Sequence, residues 1–394
     1  MEKNKQEIEW DKFYHVILLS DFRTRNILKD IGLEDKIEWV ETKTGFYING
    51  KLYSMSDTIE FLKFPTLNLF DKFRLGLTII VASRIKNWKR LEKIPVTTWL
   101  KRWSGSNTYN KIWLPLLRAK LGESYTKTSA VFIWATIQRL YGARRSGLKK
   151  EMFGFVPGGY KVVIEAFKRT LLNESVHIRT STSVTEVKTG ADNKPLIKLT
   201  DDSVESFDEV IVTLPSPIAT RLCTGLSPLE KQQLNNIEYL GVICVAVLMD
   251  KPISEFYITN ITDARFPFTG IIEMTALVNK AYLDGHTLIY LPKYVSTDDP
   301  LFKQSDEEIR DYFISNFKNM YPLITDDNIK FAGVARANHV ITVAKLNYSE
   351  TLPGVQTSVP NVYIVNTSHI IDGTLNVNET VRVAETKLEE ILKQ

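Results

Sequence analysis

Two polar clusters near the C-terminus have the residue types and spacing to hold an electron-rich ligand. Asn361-Val362-Tyr363-Ile364-Val365 reads as a short, β-branched strand that runs into the polar turn Asn366-Thr367-Ser368-His369. After a glycine-containing loop, Asn376-Val377-Asn378-Glu379 opens a helix that Val381, Ala384, Leu388 and Ile391 carry through to Leu392. A strand end that meets a helix N-terminus offers free N–H groups and the positive end of a dipole. That setting suits an electron-rich ring or a phosphate. The same pattern also serves as a last strand and helix closing a sheet. A ligand site of this type normally adds a glycine-rich βαβ fingerprint, and no G-x-G-x-x-G occurs in the 394 residues.

Other chemistries find no pattern to rest on. His15, His177, His286, His339 and His369 are scattered singly, and neither Cys223 nor Cys244 has a C-x-x-C partner, so no metal site is expected. No G-x-S-x-G appears, which leaves a hydrolase triad without support. The two cysteines sit in apolar contexts; their number allows one disulfide, and two buried thiols in a reducing compartment are the expectation. The polar start Met1-Glu2-Lys3-Asn4-Lys5 does not read as a signal peptide, and no apolar run is long enough to span a bilayer. A cytoplasmic protein is expected.

The elements that must position these residues follow from periodicity. Asp11 to Gly32 reads as helical, and Ile37–Tyr53 as a strand pair around Asn49-Gly50, a type I′ hairpin signal. Leu67 to Ala143 is helical in pattern, with Pro95 marking a helix start. Gly158-Gly159 opens another helix through Leu172. Strands are expected over Val176–Lys188, Pro195–Thr200, Val210–Val212, Tyr239–Asp250, Gly270–Ala276, Thr287–Tyr294 and Lys330–Ala337, with a helix at Asp306–Met320. A 44% hydrophobic fraction fits a globular protein with room for two sub-domains.

Charge is strongly segregated. Between Lys72 and Lys150 stand eighteen Lys and Arg against Glu92 and Glu123, a local charge of +16; the whole chain carries +4, so the remainder carries −12. This implies either solvated basic faces or attraction to an anionic small-molecule substrate or an acidic lipid surface. The aromatics here (Trp88, Trp99, Trp103, Trp113, Trp134) alternate with Leu and Ile at helical spacing, which reads as core packing, so nucleic acid is not expected as a partner.

A resemblance along nearly the whole chain sharpens these expectations. Its segments, in order, are Phe13-Tyr14-His15 with Ser20-Asp21; Gly32-Leu33-Glu34-Asp35-Lys36; Glu41 to Tyr47; Trp99 to Trp103; Trp113 to Lys120 with Gly122; Gly154-Phe155-Val156-Pro157-Gly158-Gly159-Tyr160; Asp208 to Pro215; and the terminal strand and helix. Together they resemble the flavin-containing amine oxidase superfamily of FAD-dependent oxidoreductases, in its protoporphyrinogen oxidase and phytoene desaturase-like branch. The resemblance implies an α/β (α+β) fold. In it, a partial FAD/NAD(P)-binding Rossmann-like domain is interleaved with an antiparallel-sheet substrate domain bearing a helical cap. The implied division is 1–36, an N-terminal helical segment; 37–153, substrate domain with the basic cap; 154–226, FAD-binding middle part; 227–354, antiparallel substrate sheet; and 355–394, FAD-binding strand and helix.

The resemblance also assigns residues. Val184 matches a position whose backbone meets the adenine, and Thr213 with Pro215 a strand end passing near the flavin. Asn366, Thr367 and Ser368 match the turn beneath the pyrophosphate, where many relatives carry an acidic residue or glycine. Val377 and Asn378 match the helix start facing the flavin pyrimidine edge, whose dipole would stabilise an anionic reduced ring. Arg139 in the cap and Tyr294 in a substrate-domain strand are substrate candidates for an anionic or hydrophobic small molecule. Peripheral membrane contact through 72–150 is a further expectation. FAD is the expected cofactor. Without the glycine-rich fingerprint the diphosphate and ribose lose their usual hold. The chain is therefore expected to be an N-terminally truncated form, to pair with a separate N-terminal FAD-binding segment, or to retain little flavin alone. Apolar sheet edges are expected to stand uncovered. A non-catalytic scaffold that keeps the substrate domain and docks an anionic partner or membrane surface is the rival reading.

Overall fold

The computed structural model describes residues 8–56, 58–143 and 152–393. Arg144, Arg145, Lys149 and Lys150, which close the basic stretch, and the polar start Met1–Lys5 lie outside the described residues.

The centre is a seven-stranded sheet in the order Ile329–Thr342, Tyr239–Met249, Thr287–Ser296, Gly270–Glu273, Ile258–Ile261, Thr44–Ile48 and Lys51–Ser54. All neighbours are antiparallel except Ile258–Ile261 with Thr44–Ile48. Tyr239–Met249 is buried nearly throughout because both its faces are covered. On one face Ile243, Val245, Val247 and Met249 pack with Ile309, Phe313, Phe317 and Met320 of the helix Asp306–Met320. On the other, Cys244 packs with Tyr290, Ile272 and Met274, partly covered by Trp10, Phe13 and Tyr14. Ser305 and Glu308 form a reciprocal cap that starts the Asp306 helix where the S-x-x-E pattern places it. The Asn49-Gly50 hairpin has φ of 51° and 79°, both positive as a type I′ turn requires.

Several expectations about elements change, among them Gly270–Ala276, which is strand only to Glu273 and then turns through the 3₁₀ segment Met274–Ala276. Asp11–Gly32 is not one helix. Ile17–Leu18 is a strand paired with Phe153–Gly154, Leu18 N donates to Asp21 Oδ2 (2.9 Å), and the helix begins only at Phe22. Glu38–Glu41 joins Met152–Phe155 in a separate three-stranded sheet, so only Thr44–Ser54 forms the hairpin. Val184–Thr189 is all that becomes strand of Val176–Lys188. For Ile17–Leu18 and Glu38–Glu41 a long-range ladder partner, absent from the local pattern, decides where the strand lies, whereas Val184–Thr189 is bounded by its hairpin neighbour Pro195–Leu199.

The cap is the helical run from Thr58 to Ala143. Its core gathers Leu75, Trp99, Leu100, Ile112, Trp113, Leu117 and Trp134, so the tryptophans are packing residues, as their spacing implies. The helix Val96–Thr108 breaks at Gly105, where φ is 82° and ψ 159°. Only glycine occupies that region without strain. Arg74 lies against the break, its Nε and Nη2 donating to the carbonyls of Trp103 and Arg102 at 3.1 and 2.7 Å. A Cβ on residue 105 would lie 2.8 Å from Arg74 Nη1. Gly105→Ala is expected to lower stability by about 2 kcal/mol. The check is a shifted denaturant midpoint at unchanged slope, and an unmoved midpoint would refute the expectation.

Candidate functional site

Val210–Val212 and Val362–Ile364 form a parallel pair whose ends enter the polar turns singled out above. The second edge of Val362–Ile364 is not left open. Ile364 N donates to Val355 O and Thr357 N to Val362 O, while Val210 N and Val365 N make the bonds on the other side. The expectation of an uncovered edge on this strand is thus corrected: the chain folds back antiparallel at Gln356 to satisfy it.

The turn after this strand is directed inward. Asn366 Nδ2 donates to Leu214 O (2.8 Å) and Ser216 Oγ (3.3 Å), and its Oδ1 accepts from Ser368 N (2.9 Å). Ser216 Oγ lies 3.1 Å from the Tyr239 hydroxyl, and Tyr348 donates to Ser368 O at 2.9 Å. Ser216 and Ser368 are fully buried, and burial pushes the pKa of the neighbouring His369 down. Such a network welds the two strand ends together, since a buried polar group is stable only when paired. Thr367 sits half-buried in the same turn, Thr213 is exposed beyond its strand, and Pro215 starts the short helix Ser216–Leu222. Val184 lies apart, at the head of an antiparallel strand opposite Leu199.

The closing helix Val377–Ile391 behaves differently. Asn376 caps its first turn by accepting from Glu379 N (3.0 Å). Asn378 Oδ1 accepts from Arg23 N and Thr24 N (2.9 and 3.3 Å), so it also caps the helix Phe22–Asp30. Arg382 bonds Glu379 (2.7 Å) and Asp372 (2.6 Å). Against this tip, Ser20-Asp21 and the helix Val131–Ala143 enclose a polar cleft of about 230 Å³ lined by Gln138, Arg139, Asp372, Asn376, Asn378 and Glu379 among others. Arg139 grips the buried Asp21 with Nη2 at 3.0 Å and Nε at 3.4 Å. Val377 faces a neighbouring apolar cavity of about 60 Å³ shared with Trp10, Ile17, Leu28 and Val381.

The fold therefore brings Arg139 and Asn378 to one cleft and places Val377 beside it. Tyr294 is not among the cleft's lining residues. Its hydroxyl lies 3.0 Å from that of Tyr14, and the Lys120 ammonium sits 4.0 Å from its ring centroid. Sequence reasoning missed Asp21, Asp372, Glu379 and Arg382 as site residues. Ser20-Asp21 had a signal in the resemblance, and Asn376-x-x-Glu379 one in its capping pattern.

A family model described as flavin containing amine oxidoreductase matches residues 2–364. The chain belongs to that family. Its cofactor class is a flavin, and its reaction class is oxidation–reduction. No curated protein matches by sequence. Solved structures share the mixed α/β fold. A protein assigned as a protoporphyrinogen oxidase from Exiguobacterium is 17% identical with a TM-score of 0.74, over 97% of this chain and 88% of that one. Reduced UDP-galactopyranose mutase is 14% identical at a TM-score of 0.70, over 96% and 84%. Putrescine oxidase bound to putrescine is 14% identical at 0.68, over 96% and 87%.

For a member of the flavin-containing amine oxidoreductase family, the described residues fit one end of the cofactor. The cleft meets the first turn of the closing helix, which suits the ring edge. In the turn matched to the diphosphate, the donors of Asn366 and Ser368 are engaged internally, and Thr367 remains half-buried beside them. The cleft is also smaller than the roughly 300–1,000 Å³ of pockets that bury a drug-sized ligand. The lining holds three carboxylates (Asp21, Asp372, Glu379), each already paired: Asp21 with Arg139, and Asp372 and Glu379 with Arg382. The basic excess of the cap is thus not concentrated in the cleft.

Proposed function

We propose that this chain forms the substrate side and the ring-facing helix tip of an FAD-dependent oxidoreductase that transfers a hydride from a C–H or C–N carbon to flavin N5. The observation that carries the reading is the convergence of the cap helix, the Asp21–Arg139 pair and the closing helix tip on one cleft. A bound flavin supplies the hydride acceptor. Val377 and the first turn at Asn378 would face its ring. Asp21 and Arg139 tie the cap to the N-terminal segment beside that position, which limits water access and fixes the distance between cap and helix tip. The diphosphate would be held by a glycine-rich βαβ segment, a motif that these 394 residues do not contain.

Flavin titration tests this, with absorbance of the protein fraction as readout. The chain alone is expected to retain almost no FAD, and addition of a separately supplied glycine-rich βαβ segment is expected to produce a yellow complex. A flavin band retained by the chain alone would overturn the divided site. Failure to bind in both conditions would overturn the flavin reading.

A further inference from the structure

The cap helix Leu69–Arg84 is apolar on two opposite sides. Leu75, Thr78 and Ala82 are buried toward the cap core. On the other side Leu69, Phe70, Phe73, Leu77 and Ile80 stand 76, 67, 67, 37 and 43% exposed. On a helical wheel these five fall within an arc of about 100°, with Arg84 inside it. The preceding helix Thr58–Lys63, which touches this one, adds Ile59 and Leu62 at 62 and 53% exposure. No described residue covers the strip. A helix with apolar residues on both sides calls for a second apolar phase on its outer face.

The surroundings of the strip specify that phase. Exposed Lys63, Arg84, Lys86, Lys89 and Arg90 flank it along the chain, and Lys101 and Arg102 stand on the adjoining helix Val96–Thr108. Arg74 lies over the Phe70 ring at 5.9 Å. Between residues 58 and 122 the carboxylates are Glu60, Asp71 and Glu92. Glu60 is half-buried and accepts from Ser54 and Ser56, while Asp71 and Glu92 are buried, Asp71 accepting from Asn107 and Glu92 from Ser349. The rim is thus basic without exposed carboxylates to offset it.

We propose that this face docks on an anionic phospholipid surface, with Leu69, Phe70, Phe73, Leu77 and Ile80 entering the headgroup–acyl boundary and the basic rim lying on the lipid phosphates. Apolar insertion and electrostatic attraction then act together, as for a helix lying in the plane of a membrane interface. Among the described residues no helix is long and apolar enough to cross a membrane, so the contact is one of lying on the surface. A second copy of this chain is a poorer occupant, since pairing the face with itself would press two basic rims together.

Vesicle flotation of the full chain tests the proposal, comparing phosphatidylcholine vesicles with vesicles containing roughly one-third phosphatidylglycerol. The chain is expected to float with the anionic vesicles and not with the neutral ones. A Phe70→Ser, Phe73→Ser variant is expected to lose about tenfold in bound fraction. Leu323→Ser, at an 88% exposed residue outside this face, is expected to bind like the parent. Cys223 and Cys244 are both buried, so a Phe73→Cys variant can be labelled at that one position with a polarity-sensitive dye. Its emission is expected to shift to the blue on anionic vesicles. Absence of binding by the parent chain, undiminished binding by the double serine variant, or an unshifted dye would each overturn the proposal. So would a concentration-dependent dimer that the same substitutions abolish.

Discussion

Arg139→Ala is expected to destabilise the protein by about 4 kcal/mol, the range seen when one partner of a buried ion pair is removed. Asp21 is 4% exposed, and its carboxylate accepts from Arg139 Nε and Nη2 and from Leu18 N. Alanine leaves that carboxylate buried with one backbone donor. It also unties the helix Val131–Ala143 from the segment that leads into Phe22, so the cleft loses a wall. The loss of charge and the loss of connection are separable. A double variant, Asp21→Asn with Arg139→Met, removes both charges while keeping volume, and is expected to recover most of the stability. Urea unfolding of the parent and Arg139→Ala, together with the closed cycle of Asp21→Asn, Arg139→Met and their double variant, is the measurement. Additive single effects, with no coupling between the positions, would refute the account.

A second large effect is expected from Glu273, at the end of Gly270–Glu273 in the central sheet. Its carboxyl is 2% exposed, and burial pushes its pKa up to about 7, against the opposing pull of Ser254 N–H and hydroxyl bonds and of Lys280. The unfolded chain gives up this proton at an ordinary 4.5. Between those values the unfolded state binds fewer protons, so stability is fully present below pH 4.5 and is lost as pH rises toward 7. The loss amounts to about 3 kcal/mol. Glu273→Gln keeps an oxygen for Ser254 and has no proton to release. It is expected to outlast the parent in urea at pH 8 and to match it near pH 4, and a variant with the parent's slope across that window would exclude Glu273 as the source. Tyr321, whose hydroxyl is buried without a partner, is pushed upward by burial and by Glu273, so it stays protonated throughout.

Legibility in the sequence followed the range of the forces. The Asp306–Met320 helix was readable because Ser305, Glu308 and the buried Ile309, Phe313, Phe317 and Met320 all lie within four residues of their nearest counterpart. The Asn49-Gly50 turn was readable because its two residues alone tolerate the backbone that the hairpin needs. The family, too, was legible, since its segments retain their order over nearly the whole chain. The Ile17–Leu18 strand was not, because nothing in Asp11–Gly32 announces a partner at Phe153. Asn366 and Ser368 were recognised as polar residues at a strand end, but a side chain's type does not say whether it turns toward a ligand or toward Leu214, Ser216 and Tyr348.

By itself, then, the sequence determined the type of the long periodic elements, the apolar faces, the buried thiols and the segregation of basic charge, each written in residues a few positions apart. The tertiary structure decided which of these become a site. It joined Asp21 to Arg139 across 118 positions and set Asn378 against the start of another helix. It also turned the basic excess of the cap outward around an apolar strip. Packing makes these choices because a buried charge or donor must find its partner wherever the fold brings one within hydrogen-bonding reach, and local patterning carries no record of that distance.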